Sequence, residues 1–285
     1  MKTTGDFILH HFDIPLEKYG EPISIIPFGD CHFGAPLFAE DKWQEFTNKY
    51  RKRKNCYFFG MGDYMDVIST SERRAMKNAD LHESTEHSLD RFIRNEAEAF
   101  CKSISFMKGK IIGMLGGNHY YQFPTGMTSD HFICEQLGCK YLGVKTLTHI
   151  TFHYSKGGAS HSVVISAHHG ESGGKMPGSS INKLYHMSSG FDADIHLMGH
   201  DHQKLADFTN KIGVNYSKGS LLMYNKKVLL ARTGSFLRGY VDGRKSYVCD
   251  SNMPPTDLGA IEILITINRH VPTRDLYEID IKVVL

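Results

Sequence analysis

Apolar residues along this chain fall into short runs, each closed by glycine or a polar cluster, and between the runs they recur at helical spacing. Phe7 to Ile14 and Ile23 to Phe28 read as two strands, separated by a turn-like stretch from Pro15 to Pro22. From Glu40 to about Arg53 the pattern is an amphipathic helix with Trp43, Phe46 and Tyr50 on one face. Cys56 to Phe59 is a short apolar run that reads as a buried strand, and Lys110 to Leu115 is another. Between them, Val67 to Phe106 is a polar insertion. Its second half is helical by the spacing of Leu89, Phe92, Ile93, Ala97 and Phe100. Its first half is charged and irregular, and is either a lid over a substrate or a solvated connection. Thr128 to Leu137 predicts a helix capped by Gly138. Strands are predicted around Lys140 to Leu142, Leu147 to Tyr154, His161 to Ala167 and Ile195 to Met198, with a small helix from Ile181 to Met187. Beyond Gln203, alternating segments at Lys227 to Ala231, Ile261 to Ile267 and Leu276 to Val283 predict antiparallel strands of a second sheet. No repeat or linker divides residues 1–285, so one α/β domain is expected, with an insertion around 67–106.

Composition narrows the class without naming a partner. The 285 residues can bury a sizeable core, and 41% hydrophobic with 22% charged is ordinary for a soluble protein. A net charge of +2 gives no whole-chain field toward nucleic acid or membrane, so either would need a local patch. The stretch Met1 to Leu9 carries Asp6 and no long apolar run, and nowhere do about eighteen apolar residues occur together. No signal peptide, no membrane insertion and a cytoplasmic location are therefore expected. The six cysteines lack zinc-site spacing and predict reduced, mostly buried thiols. The basic run Lys49 to Lys54 reads as solvated cations complementing the helix dipole, with a phosphate-backbone contact as the weaker alternative.

Candidate chemistry lies at the strand ends. Gly60-Met61-Gly62-Asp63 puts a carboxylate on a tight loop directly after a buried strand, the edge where α/β sheets bind ligands. Four further junctions share the design: Gly29-Asp30-Cys31-His32, Gly117-Asn118-His119, Ala167-His168-His169-Gly170 and Gly199-His200-Asp201-His202. One Gly-Asn-His or His-x-His alone is a weak signal. Five such junctions, each closing an apolar strand, point to one metal-capable centre. Alternation along an extended loop would let Asp30 act with His32, and His200 with His202, while the residue between points away.

As a set, Asp-x-His, Gly-Asp-x-x-Asp, Gly-Asn-His, His and Gly-His-x-His resemble the calcineurin-like metallophosphoesterase superfamily, over residues 29 to 202. The resemblance implies a four-layer α/β/β/α sandwich of two mixed sheets flanked by helices. It implies two divalent metal ions, manganese first, with iron, zinc, nickel or cobalt also compatible with a thiolate-free nitrogen and oxygen donor set. Asp30, His32, Asp63 and His202 would hold one ion, and Asp63, Asn118, His168 and His200 the other. His168 or His169 can fill the position after strand 161–167. His168 is favoured because it comes directly off the strand. His119 would face the scissile phosphate as general acid or charge stabiliser, and Asp66 would support rather than ligate. Two divalent ions bring about +4, while Asp30, Asp63 and a bridging hydroxide return about −3; the surplus of about +1 suits an anionic ester attacked in line by that hydroxide.

Departures prune the branches. Asp66 stands where purple acid phosphatases place a tyrosine ligand, and Val67-Ile68 replace the Arg-Gly of protein serine/threonine phosphatases. Tyr120 stands where many members carry an acid after Gly-Asn-His. With its glycine-rich loop from His169 to Ser180, the pattern is similar to phosphoesterases often encoded by phages, which leans toward a DNA or RNA nuclease. Tyr120, Tyr121 and Phe123 would either stack on a base or pack in the core. Lys175 and its loop would either hold phosphates or form an open surface loop. The alternatives are a small-molecule phosphoesterase, acting on cyclic nucleotides or monoesters, and an inactive scaffold of the same fold.

Overall fold

The computed structural model describes residues 7–66, 73, 75–76, 82–154, 157, 160–171, 176–217, 219–250, 252–269 and 277–285. Two mixed sheets form its centre. The first runs β1 (Phe7–Leu16), β5 (Lys145–Tyr154), β6 (Ser160–His168), β7 (Ile195–Met198), β9 (Ser220–Ser235) and β10 (Gly259–Ala260), with β8 (Lys204–Ser217) paired to β9. The second runs β12 (Tyr277–Val284), β11 (Glu262–Arg269), β2 (Ile23–Phe28), β3 (Cys56–Gly60) and β4 (Ile111–Met114). β2, β3 and β4 are parallel, so their C-terminal ends open on one edge. β6, β7 and β9 are parallel in the first sheet and do the same there.

Why two sheets stack follows from the strand sequences. β2 is buried at every position: Ile23 and Ile25 face the other sheet, while Ile26 and Phe28 face the helices. Ile150, Ile165, Leu197, Leu229 and Ile263 complete the inter-sheet core. Outside the second sheet lie α1 (Glu40–Arg51), α2 (Glu83–Ser103) and α3 (Ser129–Leu137), which bury Trp43, Phe46, Phe100, Ile133 and Leu137. Outside the first lies α4 (Pro177–Gly190), through Leu184 and Met187; a short α5 (Tyr247–Asp250) follows later. The expected four-layer sandwich is thus present. Gly138 closes α3 in the left-handed conformation, at φ 68°, as its position predicts. Cys31, Cys56, Cys101 and Cys134 are buried free thiols. Among the described residues, no helix is long and apolar enough to cross a membrane.

Two sequence expectations change, and one holds. Residues 227–231 belong to the first sheet, parallel to β7, rather than to the second with β11 and β12. A run buried on both faces carries no mark of which sheet will take it. Around Tyr141 there is only an isolated bridge to Met114. The helical half of the 67–106 insertion packs into the core through Ile93, Ala97 and Phe100. Apart from Arg73, Ala75 and Met76, the charged half up to Leu81 lies outside the described residues.

The basic end of α1 is more than a solvated dipole partner. Lys49 and Arg53 reach the buried Glu262 carboxylate at 3.3 and 2.6 Å, and Ser24 and Tyr50 donate hydroxyl hydrogen bonds to it. Burial alone would raise the Glu262 carboxyl, but these partners hold it below its ordinary value. Its stabilising contribution is therefore present above the ordinary glutamate pKa and is lost as pH falls through the lower folded value. Glu262→Gln is expected to cost about 2 kcal/mol, roughly 4 °C in Tm, at pH 7. In thermal unfolding scans, the gap to wild type should persist above the ordinary glutamate value and close as pH falls below it.

Candidate metal centre

The five strand-end motifs converge on the shared C-terminal edge, and the backbone there is distinctive. Seven described non-glycine residues have positive φ; five are Asp30 (46°), His32 (48°), Asp63 (49°), His200 (72°) and His202 (60°). Each left-handed residue costs about 1 kcal/mol, so neighbouring contacts must hold it there. Cys31 and His32 donate backbone N–H to the Asp63 carbonyl, and the Asp30 N–H bonds the Gly62 carbonyl. Asp30 Oδ2 accepts the His200 N–H at 2.9 Å. Asp30 and His32 therefore come together through a curled loop, not the extended alternation expected from sequence. Gly117 is required by close approach: a Cβ there would run into the Asp63 carboxylate.

Asp30, His32 and His202 form one cluster, and Asp63, His169 and His200 form another. In the first, His32 Nε2 lies 3.3 Å from His202 Nε2, and His202 Nε2 lies 3.7 Å from Asp30 Oδ1. Asp30 Oδ1 and His32 Nδ1 are buried without a hydrogen-bond partner. In the second, His169 Nε2 is 3.3 Å from Asp63 Oδ2, and the Asn118 carboxamide oxygen lies 2.9 Å from His169 Nε2 and 2.8 Å from His200 Nδ1. Asp63 belongs to the second cluster, its Oδ1 accepting the N–H groups of Asn118 and His119 at 2.6 and 2.9 Å.

His169 takes the position expected of His168. Ile165 and Ala167 face the inter-sheet core, and His169 shares their parity, whereas His168 points to the opposite side beside Lys145. The His169 Nδ1–H donates to the Met61 carbonyl at 2.7 Å, which turns Nε2 toward Asp63 and Asn118. This signal was legible: Val163, Ile165 and Ala167 alternate with Ser162 and Ser166, marking which face continues into the site. We expect His169→Ala to abolish metal uptake at one position while His168→Ala leaves stoichiometry unchanged, read by metal analysis after gel filtration.

Charge in the site is strained in the way a cation would relieve. Burial pushes Asp30 up to about 7, despite His169 and His32 nearby. Burial works the same way on Asp63, but His169, His32 and His119 hold it well below the carboxylate range. Burial would lower His169, yet Asp63 and Asp30 lift it to about 10. Burial holds His200 down at about 4 and His202 well below its ordinary value, so both present lone pairs. Acceptor atoms facing acceptor atoms, with orphaned Asp30 Oδ1 and His32 Nδ1, fit divalent cations held by nitrogen and oxygen donors.

Around these clusters the structure adds residues that sequence reading passed over. Asp66 Oδ1 accepts from His119 Nδ1 at 2.8 Å and lies 3.5 Å from His32 Nδ1. Burial would lower His119, but the Asp66 hydrogen bond raises it. Arg73 donates to the carbonyls of Tyr120 and Asn118 at 2.7 and 2.8 Å and lies over the Tyr120 ring at 3.9 Å. Tyr121 and Phe123 are core residues, with the Tyr121 hydroxyl bonded to Asp90. Those two are therefore not stacking platforms, whereas Tyr120 is half-buried with Arg73 over its ring. Asp130 Oδ2 accepts the Gly117 N–H at 2.8 Å. Fully buried Arg232 binds the Gly199 and Ser180 carbonyls and Asp201, anchoring the loop that carries His200 and His202 to α4. Lys175 lies outside the described residues. Only the strand-end residues carried a motif; Arg73, Asp130 and Arg232 act through partners distant in sequence.

No protein-family model and no curated protein matches the chain. Among solved structures, it is similar to an Entamoeba histolytica Vps29 single mutant at 11% identity and TM-score 0.38, over 92% of this chain and 100% of that one. Wild-type Vps29 of the same organism, complexed with zinc, matches at 10% identity and TM-score 0.38, over 92% of this chain and 98% of that one. A predicted phosphoesterase from Streptococcus pneumoniae TIGR4 matches at 12% identity and TM-score 0.34, over 92% and 99%. At these scores the likeness assigns neither family nor activity.

Proposed function

We propose that this chain is a dinuclear metal-dependent phosphodiester hydrolase of the calcineurin-like type. The observation that supports it most is the pair of buried His/Asp clusters, Asp30–His32–His202 and Asp63–His169–His200, with the His119–Asp66 pair beside them. Asp30, His32, Asp63 and His202 would hold one ion, and Asp63, Asn118, His169 and His200 the other. When bound, the ions supply positive charge for the phosphoryl oxygens and acidify water to give a nucleophile near neutral pH. The protein's own part is positional. Asp66 accepts the His119 Nδ1–H and leaves Nε2 to carry a proton toward the departing oxygen. Arg73 and Asp63 fix the backbone on which His119 sits. Arg232 holds the His200–His202 loop.

The test is a substrate panel with the manganese-loaded protein: single- and double-stranded DNA, RNA, 2′,3′- and 3′,5′-cyclic nucleotides, and an aryl monoester. Turnover of a diester supports the proposal, and release of nucleotides from polymers alone would make the enzyme a nuclease. Two bound metals with no hydrolysis of any phosphoester would leave a scaffold and sink the enzymatic reading.

A further inference from the structure

β8 and β9 continue as a two-stranded ribbon well past the sheet they belong to. β9 pairs with β7 only over Leu229 to Arg232, whereas β8 and β9 stay paired out to Ser217 and Ser220. From the Asn210–Lys227 pair to the tip is about 24 Å at strand rise. Among the described residues no third strand covers this distal part. A ribbon of two strands is marginal alone in water, so its order calls for a covering layer.

The two faces of the ribbon differ. At its base, Phe208 and Leu229 form one cross-strand pair whose face packs against the inter-sheet core. The same face continues outward through Ile212, Val214 and Tyr216 of β8 and Leu221 and Met223 of β9. There nothing lies opposite it: these five are 73%, 63%, 74%, 73% and 76% exposed. From Ile212 and Asn225 outward, none of its described side chains is charged. The reverse face is tied down along its inner part, while Leu222 and Tyr224 farther out are 55% and 45% exposed. Tyr224 covers Gly213, Lys211 bonds the Ser188 carbonyl, and Lys226 pairs with Asp192 and Asp194.

We propose that this apolar face is a homodimer interface, covered by the same face of a second copy of this chain. Three observations select that occupant. The five residues expose roughly 700 Å² together, on the order of the ~800 Å² per partner of a standard stable interface. The absence of described charge on the face gives a nucleic acid or a charged partner nothing to read. A self-complementary ribbon face can meet its own copy across a two-fold axis, so no second protein is needed to complete the core. The face completes in the dimer the layer that the second sheet provides at the ribbon's base.

Sedimentation velocity on the full-length protein between ~1 and 100 μM tests this. The expected mass is twice the 32.2 kDa of the chain. Val214→Glu combined with Met223→Glu should sediment as a monomer with an unchanged far-ultraviolet CD spectrum. Leu222→Glu, on the reverse face, should remain dimeric. If the double variant misfolds, hydrogen exchange of wild-type amides 212–224 still decides, since protection there should fall on dilution. A wild-type monomer across the range, a dimer that survives both glutamates, or a monomer that instead binds phosphatidylcholine vesicles through this ribbon would overturn the proposal. None of these outcomes depends on metal loading or hydrolysis, so the catalytic proposal stands or falls separately.

Discussion

Asp63→Asn is expected to lower turnover at least a thousandfold, about 4 kcal/mol of lost charge stabilisation, and to weaken both metal positions together. The reason is the shared ligand role proposed for it; in the structure its Oδ2 lies against His169 while Oδ1 accepts the backbone of Asn118 and His119. An amide oxygen can still accept those two N–H groups, so the fold around the Gly-Asn-His loop should persist. Only the negative charge is removed. Metal analysis of the purified variant should therefore show both ions depleted. Chelation provides a second readout: wild type should lose thermal stability in EDTA because ions bound only to the native state stabilise it by mass action. The variant should show little EDTA effect. Loss of one ion with full retention of the other would mean that Asp63 does not join the two positions.

The reach and limits of the sequence are visible in the same residues. Strand ends closing in Gly-Asp, Gly-Asn-His and His-x-His were legible because each motif is local and each strand is apolar. Convergence followed from parallel β2, β3 and β4, whose ends share an edge. The left-handed loops were not legible, because Asp and His tolerate positive φ without requiring it. His169 was readable from strand parity; directness off the strand was the weaker guide. Arg232 was hidden for another reason. It stands in a strand with no motif, and its partners Ser180, Gly199 and Asp201 lie at least thirty residues away. The ribbon was missed although Ile212, Val214 and Tyr216 alternate with Lys211, Gly213 and Asn215, because that alternation does not tell an exposed apolar face from a core-facing one.

His119→Ala is expected to leave both metals in place and to slow hydrolysis of an unactivated diester by roughly a hundredfold or more. It belongs to neither the Asp30 nor the Asp63 cluster but forms a third group with His32 and Asp66, pairing through Nδ1 with Asp66 and meeting the His32 ring edge-on at 4.9 Å. If Nε2 delivers a proton to the departing oxygen, the loss must depend on how much the leaving group needs one. An activated aryl ester, which departs as a stable phenolate, should lose far less than a ribose or alkyl ester. A charge-stabilising role alone would slow both substrates alike. Asp66→Asn separates orientation from chemistry. Its amide oxygen can still accept the Nδ1–H, but the negative charge that raises His119 is gone. The alkaline limb of the rate profile, where His119 gives up its proton, should then move to lower pH with a smaller loss at the optimum. Should His119→Ala instead release a metal ion, His119 would belong among the ligands and the proton role would have to be assigned elsewhere.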